Sequence, residues 1–273
     1  MRAEYARSKS WLSKAIAVNA YLYVAAILSV CYMTGWVTRL TGILAAIAQV
    51  AVFLARRASA HHYGSAERIR RIAMLKDGLG LEPSDLEVAR LIDQTSGADD
   101  TEAAFIEPYY ASEEQPGPRR LVDILRESAF FTSGLAKTCS LVFRGIATAG
   151  FLIVLVAFVY IAMSNIPRSA LDVIAQSVVI VMAFLASGDV ADMATRFGDL
   201  EKATEAVLSQ CQEALVSGKA DREGTALVLL GEYNCAVLGA PPIPNPIYQW
   251  RQQQLNNAWR NRVDKGCNAN LVH

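Results

Sequence analysis

Four uncharged stretches dictate what this chain can fold into. Between Ala15 and Thr34 the sequence AIAVNAYLYVAAILSVCYMT runs for twenty residues without a charge. At the rise of an α-helix that length crosses the roughly 30 Å hydrocarbon core of a bilayer. Gly35 to Arg39 interrupts it, and Leu40 to Ala55 then stays uncharged until Arg56 and Arg57. So short a connector predicts a helical hairpin. The pattern recurs at Gly145 to Met163 and, after the link Ser164 to Ser169, at Ala170 to Ser187. Lipid offers the backbone no hydrogen bonds, so only elements that satisfy their own can span it. The expected fold is an all-α membrane protein with four transmembrane helices arranged as two hairpins. Residues 1–55 hold an N-terminal tail and the first hairpin, 56–144 a cytoplasmic helical insert, 145–187 the second hairpin, and 188–273 a cytoplasmic helical tail.

Formal charge cancels, 26 basic residues against 26 acidic ones, so no global field draws the chain to DNA or RNA, and neither is an expected partner. Position matters instead. Arg2, Arg7, Lys9 and Lys14 precede the first run, Arg56, Arg57, Arg68, Arg70, Arg71 and Lys76 follow the second, and Lys137 and Arg144 precede the third. Each short loop on the other face has a single basic residue, Arg39 or Arg168. That asymmetry predicts both termini and the insert on the cytoplasmic side. The first apolar run is longer than a signal-peptide core and leads into a second membrane helix, so it is expected to be retained. None of the five cysteines has CxxC spacing. Cys211 and Cys235 are expected to be small, buried, reduced residues.

Inside the membrane runs the polar side chains are Asn19, Gln49, Gln176 and Ser177, which must pair across helices or line a wet path. In the insert, Ser65 to Lys76 reads as a polar helix ended by Gly78-Leu79-Gly80, and Leu86 to Ile92 as a helix capped by Ser84 or Asp85. Thr95 to Thr101 reads as a loop. Pro116-Gly117-Pro118 enforces a turn, after which Leu121, Ile124, Leu125, Ser128 and Phe131 follow helical spacing. This amphipathic helix feeds the third apolar run, packing on the bilayer surface or a cytoplasmic core, or coupling the insert to the membrane. After Gly188, the residues Val190, Met193, Phe197, Leu200, Ala203, Val207, Cys211 and Leu215 form one apolar face. Lys219 to Glu223 breaks it, and Thr225 to Leu238 returns as the second arm of an αα-hairpin. Four prolines between Pro241 and Pro246 make a stiff linker to a last helix, Ile247 to Arg262, with a seam of Tyr248, Gln252, Leu255 and Trp259.

Catalytic signatures are missing: the chain has no GxSxG, GxxxxGK[ST] or HExxH, and no GxGxxG after a strand. His61 and His62 are neighbours and do not converge on one metal ion. The carboxylates Glu107, Glu113, Glu114 and Glu127 read as a solvated face. A protein that is not an enzyme, without metal or cofactor, is expected.

Two phrases carry a resemblance. They are Tyr110-Ala111-Ser112, Pro116 to Leu121 and Glu127 to Phe131 in the insert, and Pro242-Ile243-Pro244, Ile247-Tyr248, Arg251, Leu255-Asn256 and Trp259 in the tail. In these, and in the order of its hairpins, insert and tail, the chain resembles the SMODS-associating four-transmembrane effector family. The resemblance implies a pore-forming effector of bacterial anti-phage defence in the inner membrane. It would answer a cyclic oligonucleotide, made by a partner nucleotidyltransferase, by oligomerising and permeabilising the bilayer. Arg119 and Arg120, with Tyr109 and Tyr110 for base stacking, are then the expected ligand contacts, although the arginines also suit lipid phosphate. Four helices are too few to enclose a wide channel in one copy, so a homo-oligomer is expected. The alternative is a membrane-anchored interaction protein that recruits a cytoplasmic partner without forming a pore.

Overall fold

The computed structural model describes residues 1–32, 36–94, 110, 112, 114–163 and 190–269. The fourth apolar run with Gln176 and Ser177, the loop Thr95 to Thr101, and Tyr109 lie outside the described residues. The rest is helical, with no strand among the described residues. In chain order the helices are α1 (Arg2–Tyr32), α2 (Trp36–Leu79), α3 (Asp85–Gln94), α4 (Pro118–Met163), α5 (Val190–Val216), α6 (Glu223–Leu238) and α7 (Asn245–Ala269), with a 3₁₀ turn at Lys219–Asp221.

Helices α1 and α2 form an antiparallel pair, the start of α1 lying against the second half of α2. Tyr5 meets Glu67, Glu4 meets His62, Ser8 meets Ser59, Ala15 clusters with Val52 and Ala55, and Asn19 meets Gln49. Small residues let the axes approach. Ser8 Oγ donates to the Ser59 carbonyl at 2.9 Å, while Ser59 Oγ donates to the Ser8 carbonyl at 2.8 Å. Glu4 is buried, and its carboxylate accepts from Arg7 at 2.7 Å and lies 2.6 Å from His62 Nδ1.

The polar stretch Ser65 to Lys76, expected as a helix of its own, is the second half of α2. Nothing between Ala55 and Leu79 stops the helix, since the arginines there are good helix formers and a lone Gly64 is tolerated. In the same way the amphipathic stretch Leu121 to Phe131 and the third apolar run are one helix, α4. Both helices change surroundings along their length. On α2, Ile43, Leu44, Ile47, Val50, Phe53 and Leu54 are exposed, whereas Ala66, Ile69, Ala73 and Met74 are buried. On α4 the order reverses: Leu121, Val122, Ile124 and Leu125 are buried, and Phe151, Leu152, Ile153 and Val156 are exposed. So much outward apolar surface on neighbouring turns suits contact with lipid or with another protein. Among the described residues two helices are long and apolar enough to cross a membrane, within Ile43–Leu79 of α2 and Pro118–Val156 of α4. Of the other two expected crossings, Ala15 to Tyr32 continues α1 as helix.

The buried half of α4 is the axis of the core. Leu121, Ile124, Leu125 and Cys139 pack with Met193, Phe197, Leu200 and Cys211 of α5, with Leu229, Leu230 and Tyr233 of α6, and with Met74 of α2. Along α5 the spacing of apolar residues holds for Val190, Met193, Phe197, Leu200, Val207 and Cys211, while Ala203 and Leu215 are half-buried. Thr204 joins the buried face because its hydroxyl donates to the Leu200 carbonyl at 2.6 Å. Cys235 is exposed, against expectation. Tyr233 and Val237 turn to the core, and a residue two places from Tyr233 points to the other side of a helix.

Near its end α2 is pinned by the Pro-Gly-Pro turn. Gly80 takes the left-handed conformation at φ 72° that closes the helix, and its N–H reaches the Lys76 carbonyl at 2.9 Å. Gly117 N–H donates to the Gly78 carbonyl at 2.7 Å. At Gly78 the two helices nearly touch, since a Cβ there would lie 2.9 Å from Leu121 Cβ and 3.0 Å from its Cα. Ser84 is the cap of α3, its Oγ accepting from Glu87 N–H at 3.3 Å. Two glycines of α2 therefore respond to alanine with opposite signs. Gly78→Ala is expected to cost about 1–3 kcal/mol by overpacking against backbone. Gly64→Ala, where a Cβ meets nothing within 4 Å, is expected to add about 0.5–1 kcal/mol. Thermal unfolding of the two purified variants checks both.

Candidate functional site

A cavity of about 280 Å³ opens where α2, α4, α6 and α7 meet. Arg70 enters it from α2, Tyr233 from α6, and Glu127, Phe131 and Thr132 from α4. Arg70 is brought inward by its place on the wheel, one turn after Ala66 and one before Ala73, both buried. Its side chain keeps only 12% of its surface exposed. A buried guanidinium needs answering partners. Nη1 donates to the Tyr233 hydroxyl at 2.6 Å, Nη2 lies 2.5 Å from Glu67 Oε2, and Cζ stands 4.8 Å from the centre of the Tyr233 ring.

The pairing extends both ways. Tyr233 Oη lies 2.9 Å from Thr132 Oγ1. Glu67 Oε1 accepts from the Tyr5 hydroxyl at 2.5 Å. One chain of polar groups thus joins α1, α2, α6 and α4 in the order Tyr5, Glu67, Arg70, Tyr233, Thr132. Tyr63 adds a bond from its hydroxyl to the Val237 carbonyl at 3.3 Å.

Helix α7 closes the cavity with Tyr248, Gln252, Leu255 and Asn256. The proline linker delivers it, and Ile247 and Leu255 are its buried residues up to Arg262. Leu255 sits in a notch left by Gly134 of α4, where a Cβ would fall 2.6 Å from its Cδ2. Trp259 lies across Phe130 and Phe131 at centroid distances of 5.2 and 6.1 Å, with the Arg126 guanidinium 5.4 Å above its ring. Lys9 Nζ stands 4.8 Å over the ring of Tyr248.

Burial decides which groups around the cavity hold protons. It pushes the Tyr5 hydroxyl well above its ordinary value, Arg70 pulling the other way and the Glu67 carboxylate adding to the rise. Burial also lowers the Lys9 ammonium. The Cys211 thiol is pushed up to about 12, again by burial, which leaves it protonated and inert as a nucleophile at neutral pH. With one buried cation, aromatic walls and two side-chain amides, the cavity suits a flat ligand that bears an anionic group.

Of the expected ligand contacts, Tyr110 is buried and lines this cavity. Arg119 and Arg120 are not among its lining residues. Arg119 is exposed and 3.3 Å from Glu114, while Arg120 reaches Asp77 at 2.6 Å and the Glu114 carbonyl, fastening the Pro-Gly-Pro turn to α2. Asn19 and Gln49 are brought together, Gln49 Nε2 donating to Asn19 Oδ1 at 3.1 Å across α1 and α2. Glu114 is exposed and Glu127 lines the cavity. Among the described residues no group of three or more His, Cys, Asp or Glu is placed to hold a metal ion. Sequence reasoning missed Arg70, Tyr233 and Thr132. For Arg70 a signal existed, because of the arginines Arg68, Arg70 and Arg71 it alone falls one turn from both Ala66 and Ala73.

Compared with protein-family models, curated proteins and solved structures, the chain matches none.

The sign of the alkaline response follows from Tyr5. Folded Tyr5 keeps its proton above pH 10 while the unfolded chain releases it, so the native state binds more protons there and stability falls as pH rises further. Lys9, with its folded value lowered, acts in the opposite sense up to its ordinary value of 10.5, so the loss is read above that pH. Tyr5→Phe is expected to lessen the decline, the Tyr63 hydroxyl, raised by burial in the same way, keeping its own share, while costing about 1 kcal/mol at neutral pH for the lost bond to Glu67. Denaturation midpoints between pH 7 and 11.5 for the two proteins check this.

Proposed function

We propose that the protein is a membrane-embedded effector of bacterial anti-phage defence. Its cytoplasmic half binds a cyclic oligonucleotide, supplied by a partner nucleotidyltransferase, and the response is association of copies and permeabilisation of the inner membrane. The observation that supports this reading is the continuity of the cavity walls with the apolar segments. Arg70 stands on the same unbroken helix as Ile43 to Leu54, and Thr132 on the same helix as Phe151 to Val156. A ligand that shifts α2 against α4 therefore moves their membrane ends as well, with no loop between to absorb the displacement.

Size points to how binding would proceed. A volume of about 280 Å³ lies just under the roughly 300–1,000 Å³ of sites for drug-sized ligands, so a cyclic oligonucleotide enters with one unit or displaces α7. Helix α7 is suited to yield, because few of its residues are buried. In this reading the four apolar runs make two hairpins with both termini in the cytoplasm. The Asn19–Gln49 pair holds α1 to α2 until subunits associate, when such groups can turn to a wet path. A second reading, a membrane anchor that recruits a cytoplasmic partner, draws support from Trp250, which is 61% exposed on the outer side of α7.

The test is dye release from liposomes carrying the purified protein, with and without cyclic di- and trinucleotides. Release that depends on a ligand is the expected result. Silence from correctly inserted protein under every ligand selects the anchor instead. Tyr110→Ala, which removes a ring from the cavity wall, is expected to raise the ligand concentration for half-maximal release about tenfold. Arg119→Ala is expected to leave it within about twofold, as for an exposed ion pair.

A further inference from the structure

We propose that Arg70 exchanges partners when an anion enters the cavity: the incoming group takes the guanidinium from Glu67, and Glu67 then releases the contact with Tyr5 that fastens the N-terminal end of α1. This rests on the reading of the cavity as a ligand site and names the contact through which that site is regulated.

The argument begins with how little of the guanidinium Glu67 can use. A planar fork of donors is best answered by two oxygens at once. Glu67 brings only Oε2, at 2.5 Å from Nη2, because Oε1 is already held by the Tyr5 hydroxyl at 2.5 Å. Arg70 Nε is buried and makes no hydrogen bond among the described residues. A carboxylate three residues back on the same helix thus occupies the cation with one oxygen, on the edge of a cavity large enough for a small anion. A phosphate offers the paired oxygens that Glu67 lacks.

Displacement has a mechanical consequence. Glu67 is buried, and once deprived of its cation a buried carboxylate is strongly disfavoured. It moves towards water and gives up Tyr5. What remains at that end of α1 is the small cluster of Met1 with Ile69 and Ile72, against which Tyr5 packs, and the Glu4–His62 contact beside it. The Ser8–Ser59 bonds and the contacts beyond them hold the rest of the pair, so the release is a loosening of the turns before Ser8. Other groups facing Arg70 are the Tyr233 hydroxyl and the rings and carboxylate that line the cavity, Tyr110 and Glu127 among them. A purely structural Arg70–Glu67 pair would do none of this.

The experiment uses the full chain in lipid nanodiscs, with AMP and pyrophosphate as anionic probes and adenosine as the uncharged control. Binding is read by calorimetry, and the state of α1 by hydrogen exchange of the amides of Tyr5 to Arg7, the first in the helix with intrahelical acceptors. AMP and pyrophosphate are expected to bind and adenosine not, with exchange of those amides rising about tenfold on binding. Arg70→Gln is expected to weaken AMP about tenfold or more. Glu67→Gln, which is nearly isosteric, is expected to bind AMP more tightly and to exchange quickly without it. Should Arg70→Gln fail to fold, Glu67→Gln and Tyr233→Phe carry the test. The proposal is overturned if neither anion binds, if Arg70→Gln or Glu67→Gln binds AMP as the wild type does, or if binding leaves α1 exchange unchanged. Dye release separates it from the effector reading. Cyclic oligonucleotides that permeabilise liposomes equally well through Arg70→Gln would sink the exchange and leave the effector. Exchange at Arg70 that loosens α1, with no permeabilisation by any ligand, would do the reverse.

Discussion

A helix satisfies its backbone hydrogen bonds internally, and it is therefore the one open element that can leave hydrocarbon for water without a break. Helices α2 and α4 depend on this property. Each presents apolar side chains outward along one half and packs them against protein along the other, so that exposed apolar turns and core-forming turns share an axis. In the buried half α5 and α6 cover the apolar face of α4. Continuity makes the two halves move together, because an unbroken helix bends but does not fold back on itself. Everything bound to the buried half is bound to a lever.

The second constraint is the buried charge of Glu67 and Arg70. Such a pair adds little stability against an apolar equivalent, but it is intolerant of loss, since each partner left alone is an uncompensated charge. Apolar contacts in the α4–α5 interface can slip by fractions of an ångström at small cost. The hydrogen bonds from Tyr5 to Glu67 and from Arg70 through Tyr233 to Thr132, joined by the Glu67–Arg70 ion pair, cannot. The four helices on which these groups sit are thereby held in one relative arrangement, and the cavity lies where an outside molecule can reach it.

Much of the fold was legible in local patterns. The apolar spacing of α5, the stop at Gly80, the cap at Ser84 and the proline linker before α7 are all short-range effects, decided by backbone sterics and by one or two neighbours. The candidate site was less legible. Tyr109, Tyr110, Arg119 and Arg120 were expected as ligand contacts from the resemblance. Of the three that the structure describes, Tyr110 lines the cavity, whereas Arg120 is drawn to Asp77 and Arg119 to Glu114. Proximity in sequence does not decide which side of a Pro-Gly-Pro bend a long side chain falls on. Cys235 failed for a related reason, since in an apolar helix such as α6 composition does not say which face is inner.

What the sequence alone determined is helicity, the positions of the long apolar runs, and the placement of charge beside them, because solvent preference and helix geometry act within a few turns. Tertiary structure decided the rest. It made one helix of an apolar run and a polar one. It also chose Arg70 from among Arg68, Arg70 and Arg71 to face inward, and set Tyr233 opposite it from a helix 163 residues away. Those outcomes depend on which surfaces pack together, and a buried cation is tolerated only where distant parts of the chain bring it an acceptor.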